Sequence, residues 1–435
     1  MKKLYLVLTL IILSSCQKDL IDDIDDTLLP NQPPISLYNE SIKNHEFNNG
    51  RYDNASQFSQ TGQGTSTIMF RRGFSYFDWG NDGNLDVFAN VQKDEWNNIS
   101  DWTEYGVLKN NGSNGGITQW VFDKSMISEQ LPYHASKIST TDINGDGNTD
   151  FVIFVADDAG EYGSNIQDPS GGIFSYTYNN GTYELNTIVP YQSGGNELFY
   201  HGGSLADVNG DGYPDIVAGT SKIKVWLNNG SGNFSYSHEW FDVGSFICSE
   251  HLFDINNDGY MDLIVGEAKN YNNSNYSDYY DDDNYNESTI IFLGQPNYPF
   301  YNEQPDIILE PQYSFVGESN WLNKSYTCTF DVSITDFDND GDYDIFTSTY
   351  RDQTDDEGTL ISYYENNNNT FELKTEEVFN EGDWFMEDRC RSGYIKSYDW
   401  DNDGKKELLA ETSDCGSWNA WKQINGKLTK TLIQY

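Results

Sequence analysis

The most informative segment of the chain reads Ala206-Asp207-Val208-Asn209-Gly210-Asp211-Gly212-Tyr213-Pro214-Asp215-Ile216-Val217-Ala218-Gly219. Counted from Asp207, acidic or amide side chains occupy positions 1, 3, 5 and 9, and glycine occupies position 6, where a tight loop needs a positive φ. Oxygen-bearing side chains at alternate residues of a turning loop converge on one point, and position 7 can add a backbone carbonyl. Because Ca²⁺ prefers such all-oxygen sets, the segment predicts a calcium-binding loop.

An EF-hand loop shares the first half of this pattern but ends differently. It carries a bidentate Glu at position 12 and continues into a helix. Here position 12 is Ala218, and the run from Ile216 to Gly219 is short, β-branched and closed by glycine, which is typical of a strand. The loop is therefore predicted to join two strands.

Six copies of the pattern occur along the chain, and we call them loops 1 to 6 (78–86, 142–150, 207–215, 254–262, 336–344 and 399–407). Their predicted ligands, with position 7 included for its carbonyl, are Asp78, Asp82, Asn84 and Asp86; Asp142, Asn144, Asp146, Asn148 and Asp150; Asp207, Asn209, Asp211, Tyr213 and Asp215; Asp254, Asn256, Asp258, Tyr260 and Asp262; Asp336, Asp338, Asp340, Asp342 and Asp344; and Asp399, Asp401, Asp403, Lys405 and Glu407. Loop 1 has Gly80 at position 3, and loop 6 has the longer Glu407 at position 9. These two loops are expected to bind most weakly.

The six loops resemble the FG-GAP and VCBS repeats, the calcium-loop repeats of β-propellers such as the integrin α-subunit head. The resemblance covers roughly residues 66–435. It implies an all-β propeller of four-stranded antiparallel blades, with up to six Ca²⁺ sites in the loops between the first and second strands of each blade. It does not imply one activity, since a common fold hosts many functions.

Turns rich in Asn and Gly supply the second landmark of each repeat. They are Asn110-Asn111-Gly112, Asn179-Asn180-Gly181, Asn228-Asn229-Gly230, Gly294 to Asn297, Asn366 to Asn369 and Asn425-Gly426. Asn-Gly between apolar runs predicts a hairpin, so each unit is strand A, acidic loop, strand B, connection, strand C, turn, strand D. For the third repeat we predict strands 204–207, 215–219, 222–227 and 234–240. Six blades account for the chain, and a seventh could come only from residues 36–65.

The N-terminus predicts export and a lipid anchor. Residues 1–15 pair a basic start with an apolar stretch too short to span a bilayer, and Leu13-Ser14-Ser15-Cys16 resembles a lipobox. The resemblance implies that Cys16 is acylated in the outer membrane of a Gram-negative cell, exposed at the surface; an ordinary secretory signal is the alternative. Residues 16–35 form a predicted acidic tether, residues 36–65 carry no confident element, and residues 66–435 form the propeller.

Charge and cysteine content narrow the choice of partners and compartment. The net charge of −44 disfavours nucleic acid and anionic membranes, so contact with the membrane is expected only through the N-terminal lipid. Cys390 and Cys415 lie at similar distances on either side of loop 6, which favours a disulfide in an oxidising compartment. Cys248 and Cys328 permit a second bridge between blades, and four buried thiols are the alternative.

The face opposite the calcium loops is the predicted ligand surface, because its connections vary most in length. We expect a glycan or protein ligand there, with Trp321, Trp384 and Arg389 contributing; the alternative is that these Trp side chains pack between blades. A second set of residues is expected to line the central channel. Each of them lies three positions before the first Asp of one of the six loops. This set is Ser75, Ser139, Ser204, His251, Ser333 and Lys396.

An enzyme is the alternative to a binding or scaffold module. A propeller-type polysaccharide lyase or other glycan-active enzyme needs a His or Tyr base and a cation beside a uronate carboxylate. The residues that could be assembled in this way are His134, Tyr200, His201, Arg351, Arg389 and Arg391. No spacing in the sequence requires that arrangement, so we favour binding over catalysis.

Overall fold

The computed structural model describes residues 57–59, 67–77, 79, 86–93, 103–114, 117–133, 135–157, 170–193, 200, 202–219, 222–242, 247, 249–268, 288–309, 327–351, 358–380, 382–387, 392–398, 404–412 and 417–431. The predicted signal peptide, Cys16 and the acidic tether lie outside these ranges, as do Cys248, Cys390 and Cys415. Within the described ranges, no helix has the length and apolar character needed to cross a membrane.

The described residues form six antiparallel sheets, which we number in chain order. Sheet 1 contains β1 (Gln57–Ser59), β2 (Thr67–Phe77), β3 (Asp86–Lys93), β4 (Thr103–Asn114) and β5 (Ile117–Asp123). Sheet 2 contains β6 (Ala135–Thr141), β7 (Asp150–Asp157), β8 (Ser170–Asn179) and β9 (Thr182–Ser193). Sheet 3 contains β10 (Ser204–Ala206), β11 (Asp215–Gly219), β12 (Lys222–Asn228) and β13 (Phe234–Asp242).

The other three sheets follow the same order. Sheet 4 contains β14 (Ser249–Phe253), β15 (Asp262–Ala268), β16 (Ser288–Phe292) and β17 (Ile307–Leu309). Sheet 5 contains β18 (Thr327–Thr335), β19 (Asp344–Arg351), β20 (Gly358–Asn367), β21 (Thr370–Leu373) and β22 (Phe385–Glu387), with a short helix α1 (Thr375–Val378) between the last two strands. Sheet 6 contains β23 (Ser392–Tyr398), β24 (Glu407–Thr412), β25 (Ser417–Ile424) and β26 (Lys427–Thr431).

In each sheet four consecutive strands pair with their neighbours in sequence, as the repeat pattern predicts, while β1 adds to the edge of sheet 1 and β22 pairs with β20 in sheet 5. The first long strand of each sheet also contacts the corresponding strand of the next sheet, in the series β2, β6, β10, β14, β18 and β23. Consecutive four-stranded meanders joined through their innermost strands are the architecture of a β-propeller. The predicted all-β fold class is therefore confirmed.

Five hydrophobic clusters lie between successive sheets, one at each of the five boundaries. Residues 151–155 of β7 are all apolar because both faces of this strand are covered by neighbouring sheets. Phe151, Ile153 and Val155 pack toward sheet 1, whereas Val152 and Phe154 pack toward sheet 3. Because successive side chains of a strand point to opposite faces, a sheet covered on both faces needs a continuous apolar run. At the first boundary the rings of Phe88 and Phe151 stack at 3.8 Å.

The hairpin turns follow the prediction in sheets 2, 5 and 6 but not in sheet 1. A two-residue hairpin turn of type I′ requires positive φ at both central residues. This holds for Asn180 and Gly181, for Asn368 and Asn369, and for Asn425 and Gly426. In sheet 1 the predicted turn at Asn110-Asn111-Gly112 is wrong, because these residues lie within β4. An irregularity in the register between Asn110 and Ser113 absorbs them, and β5 begins after residues 115–116.

Sheet 5 contains an insertion that the repeat pattern did not predict. After β21, α1 and a turn carry the chain back, so that β22 pairs with the first residues of β20. Phe379 and Trp384 from this insertion are buried at the boundary of sheets 5 and 6, where Trp421 donates its indole N–H to the carbonyl of Asp383 over 2.9 Å. Burial of these large rings explains why an irregular segment is held there.

Candidate metal-binding loops

The backbone of the acidic loops turns at positions 4 and 6. Position 6 has a positive φ in every described case: Gly147, Gly212, Gly259, Gly341 and Gly404. Position 4 also has a positive φ, at Gly145, Gly210, Asn257 and Asn339. The pattern of ligand positions does not predict the positive φ at position 4, but all six loops have Gly or Asn there, the residue types that tolerate this conformation.

In loop 3 the side chains fold inward onto the loop's own backbone. Asp207 accepts N–H bonds from Gly210 at 2.7 Å and from Gly212 at 2.7 Å. Asn209 accepts one from Asp211 at 2.8 Å, and Asp211 accepts one from Tyr213 at 3.0 Å. The corresponding bonds of positions 3 and 5 recur in loops 2, 4 and 5. Backbone donors thus aim the oxygens of positions 1, 3 and 5 toward the inside of one turn.

The Asp at position 9 begins strand B and is buried beneath the loop. Asp215 accepts the N–H of Val208 at 3.2 Å and the N–H of Asn228 at 2.8 Å. Asp150, Asp262 and Asp344 repeat both bonds, each with the residue at position 2 and with one residue beside the turn between strands C and D. The A–B loops and the C–D turns therefore lie on the same face of the propeller, as predicted.

Burial makes these position 9 carboxylates costly to ionise. It raises the pKa of Asp150, Asp215 and Asp262 to about 7, with smaller contributions from the other acidic residues of each loop, and raises that of Asp344 to about 6. The two backbone N–H donors oppose this shift but do not cancel it. A cation in the loop would favour the charged form of each carboxylate.

Loop 5 brings three carboxylates together. Oxygen atoms of Asp336, Asp338 and Asp340 all lie within 4.8 Å of one another. Oδ1 of Asp336 is enclosed and has no hydrogen-bond partner among the described residues. Loops 2 to 4 have Asn at position 3. Positions 1, 3 and 5 of these loops therefore offer two carboxylates and one amide oxygen, with one negative charge fewer than in loop 5. In loops 1 and 6, only Trp79, Asp86, Gly404, Lys405, Lys406 and Glu407 are described, and Asp86 and Glu407 are both buried at position 9.

Five of the residues predicted to line the central channel, Ser75, Ser139, Ser204, His251 and Ser333, are buried. All of these except Ser139 connect successive sheets. Ser75 donates its hydroxyl to Thr140 at 3.3 Å, and the backbone N–H groups of Leu252 and Ser397 donate to the hydroxyls of Ser204 and Ser333. His251 Nε2 lies 3.2 Å from Asp331 Oδ1 across the boundary of sheets 4 and 5. Lys137 reaches further, because its ammonium donates over 3.1 Å from sheet 2 to the carbonyl of Glu250 in sheet 4. These polar groups therefore hold the innermost strands together.

Of the predicted ligand and lyase residues, the described part of the chain contains Trp384, Tyr200 and Arg351. Trp384 is only 2% exposed, which agrees with the packing alternative and leaves its ring out of reach of a ligand in solvent. Tyr200 is buried at 1% exposure against Trp226, with the two rings 6.0 Å apart. Trp321, His134, His201, Arg389 and Arg391 lie outside the described residues. Arg351 ends β19.

Comparison with known proteins agrees with the repeat pattern. The family described as FG-GAP-like repeat matches residues 207–265 and 336–410, so that each match begins at the first Asp of a loop. No curated protein matches the chain.

Among solved structures, a polysaccharide lyase of family PL25, an ulvan lyase, is similar at 11% identity and a TM-score of 0.42, covering 89% of this chain and 97% of the lyase. Its complex with -[GlcA(1-4)Rha3S]- gives the same values. The Dos1 propeller is similar at 8% identity and a TM-score of 0.35, covering 88% of this chain and 86% of that one. Such low similarity carries no argument about activity. On its sheets and its two matched segments, the chain carries FG-GAP-like repeats and folds as a β-propeller.

Proposed function

We propose that this protein is a calcium-stabilised β-propeller that serves as a binding or scaffold module. The observation that supports the proposal most directly is loop 5, where three carboxylates converge and one enclosed oxygen of Asp336 has no partner among the described residues. Like charges at this separation repel one another, and a divalent cation removes that repulsion. The oxygen-only donor set fits Ca²⁺ and lacks the nitrogen and sulfur ligands that zinc prefers.

In this proposal each part of a loop has a separate task. Positions 1, 3 and 5 hold the ion through side-chain oxygens, and position 7 contributes its carbonyl. The position 9 carboxylate supports the loop from beneath through its two backbone N–H bonds. Bound Ca²⁺ supplies the positive charge that offsets the acidic oxygens and so stabilises the folded chain.

A calcium titration tests the proposal. The full chain, stripped with EDTA, should gain thermal stability as Ca²⁺ is added, and the gain should be smaller in an Asp340→Ala variant. The control is Asp383→Ala, which removes an acidic side chain from the surface near α1 and leaves every loop intact. A melting temperature that does not respond to Ca²⁺ would contradict the proposal.

The location and partner class follow from the sequence as part of the same proposal. A lipid on Cys16 would hold the domain at the outer membrane, with residues 16–35 as the tether. The surface is strongly acidic, so the partner would be a glycan or a protein rather than a nucleic acid. The burial of Tyr200 and Trp384 gives no support to an active site built around them.

A further inference from the structure

The turn between β12 and β13 lies between acidic loops 2 and 3. On the loop 3 side, a methyl group at Gly230 would overlap the ring of Tyr213, which is position 7 of that loop. On the loop 2 side, a methyl group at Gly232 would lie 3.4 Å from Cγ1 of Ile143 and 3.6 Å from Cβ of Asn144, a predicted ligand. One short turn therefore contacts an acidic loop of its own sheet and an acidic loop of the preceding sheet.

A continuous series of hydrogen bonds runs past this turn from one loop to the other. In loop 2, Asp150 accepts the N–H of Ile143 over 3.1 Å, and the carbonyl of Ile143 accepts the side-chain amide of Asn228 over 2.8 Å. In loop 3, Asp215 accepts the backbone N–H of Asn228 over 2.8 Å and that of Val208 over 3.2 Å. The series therefore joins the two position 9 carboxylates that support the loops from beneath.

The residues of this series are buried. Ile143, Asp150 and Asp215 are fully enclosed, and Asn228 is nearly so. Ile143 also packs in the hydrophobic cluster between sheets 2 and 3. Because close packing leaves no room for water to take over these bonds, a shift in the backbone of loop 2 would displace Asn228 and, through it, the support of loop 3.

Loops 3 and 4, and loops 4 and 5, are not joined in this way among the described residues. In sheet 4 the residue that donates to Asp262 is Gly294, which has no side chain to reach loop 3. In sheet 5 it is Asn366, whose side-chain amide donates over 3.0 Å to the carbonyl of Tyr343 in its own loop. The amide bridge thus distinguishes loops 2 and 3 from these other neighbours.

The series links the order of one loop to that of the other. A cation in loop 2 would hold the backbone around Ile143 in this arrangement, which fixes Asn228 before loop 3 binds its own ion. The second ion then has less of the chain to order, so its binding loses less conformational entropy. Repulsion between the two ions acts in the opposite direction, but salt screens it over about 8 Å at physiological ionic strength.

From these contacts we infer that Ca²⁺ binds cooperatively to loops 2 and 3, with each ion strengthening the binding of the other about fivefold. The inference rests on the proposed calcium function and adds a form of regulation to it. The two loops fill as a pair, over a narrower range of Ca²⁺ concentration than independent loops would. Loops 3 and 4, which lack the amide bridge, bind independently of each other.

A double-mutant cycle in the full chain tests the inference. Asp146→Ala and Asp211→Ala remove the position 5 ligands of loops 2 and 3. Urea unfolding measures the stability that each variant, and the double variant, gains when Ca²⁺ is added to protein stripped with EDTA. If binding is cooperative, the two single losses together exceed the loss in the double variant, by a margin equivalent to about fivefold in affinity.

The matched control is the same cycle with Asp211→Ala and Asp258→Ala, in the adjacent loops 3 and 4, where the losses should add. Asn228→Ala removes the amide bridge and should make the cycle of loops 2 and 3 additive as well. If the Asn228→Ala protein does not fold, the difference between the two cycles decides the question alone.

Additive losses at loops 2 and 3, a double loss larger than the sum of the single losses, or the same margin in both cycles would each overturn the inference. The wild-type measurement separates this inference from the proposed function. A wild-type chain whose stability does not respond to Ca²⁺ contradicts the calcium proposal, whereas a Ca²⁺ response with additive losses contradicts the cooperativity alone.

Discussion

Asn228 connects two neighbouring acidic loops to the turn of its own sheet. Its backbone N–H donates to Asp215 over 2.8 Å, while its side-chain amide donates to the carbonyl of Ile143 in loop 2 at 2.8 Å and to that of Pro214 in loop 3 at 3.1 Å. The side chain is only 3% exposed, so water cannot replace these bonds. Acidic loops 2 and 3 are therefore coupled from one blade to the next.

Replacing Asn228 by Ala should destabilise the protein. The backbone bond to Asp215 persists, but the carbonyls of buried Ile143 and half-buried Pro214 lose their donor, at a cost of about 1–3 kcal/mol. Asn229→Ala is the matched control, because Asn229 is exposed and its side chain only accepts the N–H of Ser231. Chemical denaturation would measure both values, and equal losses would contradict the role assigned to Asn228.

Removal of calcium should lower the melting temperature steeply. Taking a dissociation constant of about 0.1 mM and roughly 1 mM Ca²⁺, each filled site adds about 1.4 kcal/mol by mass action. Several sites together would approach the whole net stability of a domain. Differential scanning calorimetry with and without EDTA checks this, and Mg²⁺ at the same concentration is the control for ionic strength.

Asp215→Ala should destabilise the protein even without calcium, and more than Asp211→Ala does. The first change leaves the buried N–H groups of Val208 and Asn228 without an acceptor, at about 1–3 kcal/mol each. Asp211 is exposed, and the N–H of Tyr213 can turn to water. Urea unfolding of both variants in EDTA gives the comparison. If Asp211→Ala proves the more harmful, the position 9 carboxylate does not support the loop as we describe.

Trp384→Ala should destabilise the protein by about 3–5 kcal/mol, because it leaves a cavity between sheets 5 and 6. Trp384→Phe should be milder, since the lost indole N–H has no hydrogen-bond partner among the described residues. Thermal unfolding measures both. A Trp384→Ala protein of normal stability that fails to bind a ligand would instead restore the ligand-contact role first expected of this residue.

Cys16→Ser should release the protein from the membrane. The prediction follows from the resemblance of residues 13–16 to a lipobox, because a hydroxyl cannot take the thioether-linked lipid. Fractionation of cells that express each form, followed by immunoblotting, provides the measurement. Ser15→Ala, a change beside the cysteine that leaves it intact, is the control and should remain in the membrane fraction. Retention of Cys16→Ser in the outer membrane would contradict the lipid anchor.

The sequence predicted sheet 3 to within about two residues at every strand end, because each end carries its own signal: an acidic loop, a β-branched run or an Asn-Gly turn. In sheet 1, two candidate turns compete, at Asn111-Gly112 and Gly115-Gly116, and only the strand register separates them. The α1 insertion could not be foreseen, since what holds it is burial against sheet 6. The same holds for Trp384, whose exposure depends on which neighbours cover it rather than on its type.

The bond between Lys137 and Glu250 has a consequence for how this chain can evolve. Repeat proteins commonly gain or lose units by duplication and deletion, because each unit contacts only its neighbours. Lys137 departs from that rule, since its buried ammonium passes sheet 3 and bonds in sheet 4. Deleting or doubling the intervening unit would move the Glu250 carbonyl away from the enclosed ammonium and break this bond. Evolution can thus lengthen the surface connections of this propeller without disturbing the bond, whereas a change in the number of units between Lys137 and Glu250 would break it.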